Sequence, residues 1–182
     1  MKFTKTKIEG VVIVEPKVFE DARGYFFESY NEKEFVENGI DAKFIQDNQS
    51  KSSYGVIRGL HCQLGDHSQA KLVRVLKGRV LDVAVDIRKG SPTFGQYVAV
   101  ELSEENQRQL FIPRHFLHGF SVLSEEAVFS YKVDNYYCKD AEFGIRYDDK
   151  EIGIDWQIPA DKIITSEKDR IAKGLKDVPN NG

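Results

Sequence analysis

The chain has 182 residues, of which 41% are hydrophobic and 30% charged, and its net charge is −3 at pH 7. That length suits a single domain with a sizeable core, which we predict over residues 1–182. The balanced charge, with no basic block, argues against nucleic acid as a partner. No apolar run is long enough to span a bilayer, and the first residues lack the apolar core of a signal peptide. We therefore expect a cytoplasmic protein that does not bind membranes.

The two cysteines, Cys62 and Cys138, lie far apart in the sequence and form no CxxC pair. A single disulfide between them stays open as an alternative. Because disulfides are rare in the cytosol, we expect both thiols to be reduced.

Strand signals recur at short intervals along the chain. The clearest lies in residues 73–88, where Val83 and Val85 alternate with Asp82 and Asp86. The predicted strands cover residues 11–14, 25–27, 73–88 (divided by Gly78 into a hairpin), 96–102, 110–122 (divided by Pro113) and 128–133. Residues 17–23 predict a turn, and residues 44–53 predict a strand end that runs into a loop.

Helix signals are confined to the edges of this pattern. Residues 31–38 predict a short helix that begins at the N-cap Asn31 and stops at Gly39, and residues 166–173 predict another that begins at Ser166. From residue 135 the alternation fades into an irregular covering segment. Many short strands with Gly and Pro turns are typical of an all-β sandwich or barrel, here with short peripheral helices.

Arg58, His61, Gln63 and Lys71 lie close together before the central strand region. If this stretch alternates, their side chains line one pocket. A histidine that titrates near neutrality is a natural base, and a fixed cation such as Lys71 can stabilise a developing oxyanion. Taken alone, each has an ordinary alternative: His61 as a packed or surface histidine, and Lys71 as a solvated strand start.

Three later residues extend this picture. His118 stands at a strand entry and faces His61 if both strands belong to one barrel. Tyr131 lies on an alternating strand, which indicates either a core aromatic or a phenol that delivers a proton. Asp169 follows Ser166 by three residues, and this position favours a helix-capping role over that of a carboxylate that orients a histidine.

Metal binding is the main competing interpretation, since small β-barrels often hold a divalent ion through a His-x-His pair with a later acidic ligand. Here His61 is followed by Gln63 instead of a second histidine, and Lys71 stands roughly where an acidic ligand is wanted. A full ligand set is missing, so we expect no metal.

Several segments, taken together and in this order, resemble the dTDP-4-dehydrorhamnose 3,5-epimerases, a metal-free branch of the cupin superfamily. They include residues 21–28, 46–50, 58–63, 71–75, 82–88, 112–120 and 166–169. The resemblance covers nearly the whole chain. It implies a jelly-roll barrel, usually a homodimer that shares strands across its interface, and a nucleotide-linked 4-keto-6-deoxyhexose substrate on the route to dTDP-L-rhamnose.

In that family the residue matching His61 is the general base, and the aspartate matching Asp169 orients it, which reverses the preference for a capping role. The residue matching Lys71 steadies the enolate oxygen, and the one matching Tyr131 returns a proton from the other face. The resemblance assigns the nucleotide sugar to residues matching Arg23, Glu28, Gln46, Asn48, Arg58, His118, Tyr137, Glu142 and Lys168. To this binding set we add Phe26 and Gln63.

The implied reaction inverts C3 and C5 of dTDP-4-keto-6-deoxyglucose by proton abstraction through an enolate. Only protons move, so no cofactor is expected, and the sequence contains no Gly-rich dinucleotide loop. Arg23 and Arg58 suit a diphosphate because a guanidinium is a planar, two-pronged donor, and Phe26 or Tyr137 can stack on the base.

Two departures from the family pattern concern the substrate. His115 stands where glycine is usual, and Cys62 where an aromatic is usual. A side chain at His115 would narrow the pocket mouth or change the turn, and Cys62 would leave more room beside His61. Three alternatives stay open: an epimerase of one carbon on a related nucleotide 4-keto-6-deoxysugar, a sugar-binding cupin without catalysis, and a metal-dependent cupin oxygenase.

Overall fold

The computed structural model describes residues 1–179, which contain thirteen strands, two α-helices and short 3₁₀ turns. The strands are β1 (Lys2–Lys5), β2 (Val12–Glu15), β3 (Phe19–Asp21), β4 (Gly24–Phe26), β5 (Gln46–Ser53), β6 (Ile57–Gln63), β7 (Lys71–Lys77), β8 (Arg79–Asp86), β9 (Tyr97–Ser103), β10 (Gln109–Ile112), β11 (Phe116–Val122), β12 (Glu126–Val133) and β13 (Glu142–Gly144). The helices are α1 (Glu32–Glu37) and α2 (Glu167–Arg170). Within these residues no helix has the length and apolar character needed to cross a membrane. The prediction of one domain over residues 1–182 includes residues 180–182, which lie outside the described residues.

Most strands belong to two antiparallel sheets. The six-stranded sheet has the order β1-β2-β10-β7-β12-β5, and the five-stranded sheet has the order β13-β6-β11-β8-β9. From β5 to β8, and again from β9 to β13, successive strands lie in opposite sheets. The two sheets share an apolar core that includes Val73, Leu110, Phe120 and Phe129. The predicted jelly-roll barrel with short peripheral helices is confirmed.

Both outer faces of the barrel are covered as well. A second core, with Val85 and Trp156 among its members, joins the five-stranded sheet to the C-terminal segment. A third core joins Phe35 of α1 to Phe111 on the six-stranded sheet. The five-stranded sheet is therefore buried on both faces, and its polar residues are enclosed with the apolar ones.

The alternation in β8 separates two buried faces. Val83 and Val85 pack into the outer core, whereas Ala84 belongs to the barrel interior, so Asp82 faces the interior too. Asp82 and Asp86 are both 0% exposed. Carboxylates at such positions need dedicated partners, because a buried charge without compensation is costly.

The prediction of a hairpin at Gly78 is wrong. β7 lies in the six-stranded sheet and β8 in the five-stranded sheet, so the chain passes from one sheet to the other at this residue. Gly78 has a φ of +79°, and a Cβ atom there would lie 2.1 Å from the carbonyl oxygen of Glu126. The corner passes so close to β12 that only glycine fits. The strands on either side of Pro113, β10 and β11, are divided between the sheets in the same way.

Three element boundaries also differ from the prediction. The predicted loop within residues 44–53 is the eight-residue strand β5, because pairing along the whole of β12 overrides its polar composition. The predicted turn over residues 17–23 contains β3, which pairs with β4 in a separate hairpin. The helix that was predicted to reach Lys173 ends at Arg170. Lys173 instead forms an isolated parallel β-bridge with Ile145.

The first predicted helix is confirmed. The side chain of Asn31 accepts a hydrogen bond from the backbone N–H of Glu34 at 3.3 Å, which caps α1. Gly39 follows the helix with a φ of +83°. That left-handed conformation favours glycine and ends the helix.

Candidate active site

A cavity of about 540 Å³ opens between the two sheets. Strands β5, β6, β11 and β12 and the segment that leads into α2 provide most of its wall. Of the residues selected from the sequence, it is lined by Asn48, Arg58, His61, Lys71, His118, Tyr131, Lys168 and Asp169. The structure therefore brings all four predicted catalytic residues into one cavity.

His61 and Asp169 form a hydrogen-bonded pair at the edge of this cavity. Nε2 of His61 lies 2.5 Å from Oδ1 of Asp169, which is only 4% exposed. Burial raises the pKa of Asp169, but the hydrogen bond and charge of His61 and the bond to Ser166 outweigh it and lower the pKa below its ordinary value. A carboxylate only accepts hydrogen bonds, so Nε2 carries the hydrogen and Nδ1 is the nitrogen free to take a proton.

α2 holds Asp169 in place. The backbone N–H of Asp169 donates to Oγ of Ser166 at 3.1 Å, so Ser166 is the cap and Asp169 is free to serve His61. A helix of four residues needs such a cap because it has little intrinsic stability. Ser166 therefore caps the helix, and the carboxylate of Asp169 pairs with His61.

His118 lies directly opposite His61 on the neighbouring strand of the five-stranded sheet. Its Nε2 is 2.8 Å from Oδ1 of Asp82, and the residue is 8% exposed. Burial lowers the pKa of His118, and the charges of Lys71 and His61 act in the same direction, against the attraction of Asp82. His118 is therefore a neutral ring held by a carboxylate.

Gly59 allows the two histidine strands to approach. Its φ is +127°, and a Cβ atom there would lie 2.6 Å from Cα of Gly119 and 2.8 Å from the carbonyl oxygen of His118. No side chain fits in that space. Gly59 therefore permits the close backbone approach beside His61.

Lys71 is the first residue of β7 and places its ammonium group inside the cavity wall. Burial lowers its pKa, while the charges of Cys62 and Asp82 raise it. Its Nζ lies 6.0 Å from the ring centroid of Tyr131. A cation in so enclosed a place acts on a bound oxyanion with little screening.

Tyr131 enters the cavity from the six-stranded sheet, opposite the sheet that carries His61. Burial raises the pKa of its phenol, and the positive charge of Arg58 opposes that rise. The phenol therefore keeps its proton at neutral pH and can donate it. A base and an acid thus face the same space from two sides.

Tyr137 and Glu142 lie outside the cavity and are connected to it through Lys168. The hydroxyl of Tyr137 donates to Oε2 of Glu142 at 3.3 Å, and Nζ of Lys168 pairs with Oε1 of Glu142. The hydrogen bond from Lys168 lowers the pKa of Glu142. A cleft of about 260 Å³ runs from His61 past Glu142 and Lys168. This cleft extends the cavity toward solvent.

Other predicted binding residues lie apart from the cavity of their own chain. Arg23 and Phe26 belong to the β3–β4 hairpin, and Glu28 follows it. The side chain of Arg23 is 90% exposed and pairs with Asp21. Gln46 does not line the cavity but donates through Nε2 to Oδ1 of Asn48 at 2.8 Å. Gln46 therefore fixes the orientation of Asn48, which lines the cavity.

The prediction that Gln63 lines the same pocket is wrong. Its side-chain amide donates to the carbonyl oxygens of His67 at 2.9 Å and Tyr136 at 3.1 Å. Its Oε1 accepts from the backbone N–H of Cys138 at 2.6 Å. These bonds tie two loops together beside the site, because Gln63 points into the loops and away from the barrel interior.

The two departures from the family pattern lie away from the cavity lining. Cys62 packs into the outer core of the five-stranded sheet, so it does not widen the space beside His61. Burial there raises the pKa of its thiol to about 12. His115 takes a φ of +66° and donates its backbone N–H to Oγ of Ser68 at 2.8 Å. His115 thus adopts the left-handed conformation that suits glycine.

Sequence reasoning missed Asp82 and the apolar part of the cavity wall. Asp82 appears in the sequence as the polar member of an ordinary alternating strand. Phe120 and Phe129 stack with their ring centroids 4.2 Å apart and line the cavity next to the histidines. The sequence did contain a signal for Phe129, because alternation places it on the same strand face as Tyr131.

Among residues 1–179, no group of three or more His, Cys, Asp or Glu side chains is arranged to hold a metal ion. The acidic side chains nearest the two histidines are already engaged, Asp169 with His61 and Asp82 with His118.

Known proteins are similar to this chain in both sequence and architecture. Residues 5–177 match the family described as dTDP-4-dehydrorhamnose 3,5-epimerase. The enzyme of that name from Shigella flexneri is 56% identical over 93% of each chain. The crystal structure of the one from Elizabethkingia anophelis is 56% identical, with a TM-score of 0.95 over 100% of this chain and 99% of that one. A Legionella pneumophila 3,5-epimerase in complex with dTDP-4-keto-L-rhamnose is 49% identical, with a TM-score of 0.93 over 98% and 94% of the two chains.

Proposed function

The chain belongs to the dTDP-4-dehydrorhamnose 3,5-epimerase family, and on that premise we propose how its residues perform the family's reaction. The protein is an isomerase that inverts C3 and C5 of dTDP-4-keto-6-deoxyglucose on the route to dTDP-L-rhamnose. One observation carries the proposed mechanism: His61, oriented by Asp169, and Tyr131 enter one cavity from opposite sheets. Inversion of a carbon needs a base on one face and an acid on the other.

The chemistry follows from the C4 ketone, which acidifies the protons on both neighbouring carbons. Nδ1 of His61 removes a proton, and the electron pair moves onto O4 to give an enolate. The ammonium group of Lys71 stabilises that oxygen, and Tyr131 returns a proton to the opposite face. General acid–base help is worth roughly 10²–10⁴-fold, and a preorganised oxyanion partner about 10²–10³-fold. This route moves only protons and requires no cofactor.

The remaining lining residues hold the nucleotide sugar in this proposal. Arg58 and Lys168 are cations at the cavity wall and suit the diphosphate. Asn48 and His118 offer hydrogen-bonding groups to the sugar hydroxyls. Tyr137, exposed beside the outer cleft, can stack on the base, with Glu142 fixing its hydroxyl.

Arg23, Phe26 and Glu28 fit the substrate through a second copy of the chain. Their β3–β4 hairpin is bonded to neither main sheet and exposes 66% of Phe26. An isolated two-stranded hairpin is marginal in water, and exposed aromatics mark an interaction surface. The open edge strand β5 borders the cavity, so a hairpin laid along it would reach the substrate. We therefore propose a homodimer in which each hairpin completes the partner's site.

A cytoplasmic location is the last part of the proposal. Cys62 and Cys138 are both free thiols. Free thiols fit a reducing compartment such as the cytosol.

Proton NMR of dTDP-4-keto-6-deoxyglucose in heavy water tests the function. We expect the signals at both C3 and C5 to disappear with the wild-type protein and new resonances of the inverted sugar to appear. Loss at one carbon only would indicate a mono-epimerase. Loss at neither, with the ligand still bound, would refute the epimerase and favour a barrel that only binds the sugar.

A further inference from the structure

The side-chain amide of Gln63 is a buried group beside the site to which the mechanism above gives no task. Gln63 is the last residue of β6, two residues after His61, and is only 5% exposed. Its Nε2 donates to the carbonyl oxygens of His67 at 2.9 Å and Tyr136 at 3.1 Å, and its Oε1 accepts from the backbone N–H of Cys138 at 2.6 Å. Both amide hydrogens and the amide oxygen are therefore occupied by backbone groups.

Two of these bonds lie on either side of Tyr137. The carbonyl of Tyr136 precedes this residue and the N–H of Cys138 follows it, and one side-chain amide binds both. Tyr137 lies between β12 and β13, and 60% of its surface is exposed. An exposed ring in a loop has few packing contacts to hold it, so the bonds to its backbone determine where it stands.

The hydroxyl end of Tyr137 is held from the same place. It donates to Oε2 of Glu142 at 3.3 Å, and Glu142 lies directly opposite Gln63 in the pairing of β6 with β13. One pair of facing residues therefore holds the tyrosine at both its backbone and its hydroxyl. This pair is two residues from His61 along β6, so it fixes Tyr137 relative to the proposed base.

We infer that Gln63 is a positioning residue for nucleotide recognition, which holds Tyr137 where its ring stacks on the base of the nucleotide sugar. The inference rests on the proposed function, which assigns Tyr137 to that base. Without Gln63, the backbone around Tyr137 would have to become ordered when the ligand binds, and the lost entropy would weaken binding. The proton transfers themselves do not involve Tyr137, so their rate in the bound complex should not depend on Gln63.

The test is Gln63→Met, which keeps the length of the side chain and removes its three hydrogen bonds. Calorimetry should show the Kd of dTDP rising roughly 10-fold, the effect of ordering about one residue on binding. The KM of the sugar substrate should rise with it, whereas kcat should stay within about twofold of the wild type. A loss confined to kcat, or an unchanged Kd, would overturn the inference.

Gln69→Met is the matched control, since Gln69 is a second glutamine that binds the same loop. Its Nε2 donates to the carbonyl oxygen of Asn135 at 2.7 Å, but Asn135 is also held by its own side chain, which donates to the carbonyl oxygen of Asp66 at 2.8 Å. This variant should therefore bind dTDP as the wild type does. An equal loss in both variants would overturn the specific role of Gln63. A wild-type protein that does not bind dTDP would instead refute the proposed function itself.

A double-mutant comparison tests whether Gln63 acts through Tyr137. Tyr137→Ala removes the ring, so adding Gln63→Met to it should weaken dTDP binding little further. Two losses that simply add would overturn the inference.

Hydrogen exchange of the wild-type protein covers the case in which Gln63→Met does not fold. The backbone amide of Cys138 should be protected from exchange without any ligand, although it lies in a loop, because Gln63 accepts its hydrogen bond. Exchange at the rate of an unstructured peptide would overturn the inference, since Gln63 would then not hold the loop.

Discussion

At the scale of single residues, the imidazole of His61 lines the cavity and is bonded to Asp169 through Nε2. We predict that His61→Asn lowers the rate of proton exchange at C3 and C5 by roughly 10²–10⁴-fold, the usual worth of a positioned base. Binding of dTDP should change little, because His61 contributes a base and not an anchor. Exchange is measured by NMR in heavy water and binding by calorimetry.

The control for that variant is His67→Asn, which alters an exposed histidine whose only bond to the site region is through its carbonyl oxygen. It should exchange protons at the wild-type rate. Wild-type exchange in His61→Asn would remove His61 from the mechanism, and an equal loss in both variants would point to a general effect on folding.

A substitution at His115 should make the protein more stable. The φ of this residue is +66°, and its Nδ1 is buried without a hydrogen-bond partner among residues 1–179. The left-handed conformation costs a non-glycine residue about 1 kcal/mol, and an orphaned polar atom about 1–3 kcal/mol. We predict that His115→Gly raises the free energy of unfolding by about 1 kcal/mol, after the entropy that glycine loses on folding. Urea denaturation measures this difference.

His115→Ala separates the two contributions. It removes the orphaned nitrogen but keeps a Cβ atom at the strained φ, so its stability should lie between those of the wild type and His115→Gly. If both variants are less stable than the wild type, the imidazole makes packing contacts worth more than its strain.

At the scale of elements, the carboxylate of Asp86 connects the end of β8 to the loop that follows it. Burial raises the pKa of Asp86, but hydrogen bonds from Arg88, Ser91 and Thr93 outweigh it and lower the pKa from an ordinary 3.8 to about 2. A depressed folded-state pKa contributes stability above the unfolded pKa, and this stability is lost as pH falls toward 2. The shift corresponds to ~2–3 kcal/mol.

We therefore predict that Asp86→Asn lowers the free energy of unfolding at pH 7 by ~2–3 kcal/mol. The difference from wild type should shrink as pH falls from about 4 to 2, because the wild-type carboxylate then takes up a proton. Urea unfolding at several pH values measures it. A difference that stays constant with pH would mean that packing, and not charge, is what Asp86 contributes.

The elements also show how far the sequence determines the site. Alternation and turn residues predict β7, β8 and β12 because these signals are local. The assignment of β7 and β8 to different sheets is not local: Gly78 is glycine because the start of β12 approaches it. Asp82 was missed for a related reason, since an alternating carboxylate indicates a solvated face until the second layer over that sheet is known.

At the scale of the whole molecule, the proposed catalytic groups are far apart in sequence and meet only when both sheets form. His61, Tyr131 and Asp169 come from the five-stranded sheet, the six-stranded sheet and α2. In the proposed mechanism, this arrangement holds the planar enolate between a base and an acid. The resemblance to a known family supplied these roles, whereas spacing alone supplied only candidates, because no local pattern records which strands face each other.

The proposed dimer makes a prediction that the single chain cannot explain. If the hairpin with Arg23 completes the partner's cavity, each site combines His61 of one chain with Arg23 of the other. Arg23→Ala and His61→Asn should each inactivate the homodimer. A mixed dimer of the two variants then contains one intact site of two and should regain about half of the wild-type activity.

Co-expression with two different tags and purification over both isolates the mixed dimer, and the heavy-water exchange assay measures its activity. Because the side chain of Arg23 is 90% exposed, its removal should leave the fold intact, so a loss of activity reports on the site. If Arg23 instead served its own chain, both sites of the mixed dimer would carry a lesion and no activity would return. Failure of the two tags to purify together would refute the dimer itself, because the hairpin would then have no partner to reach.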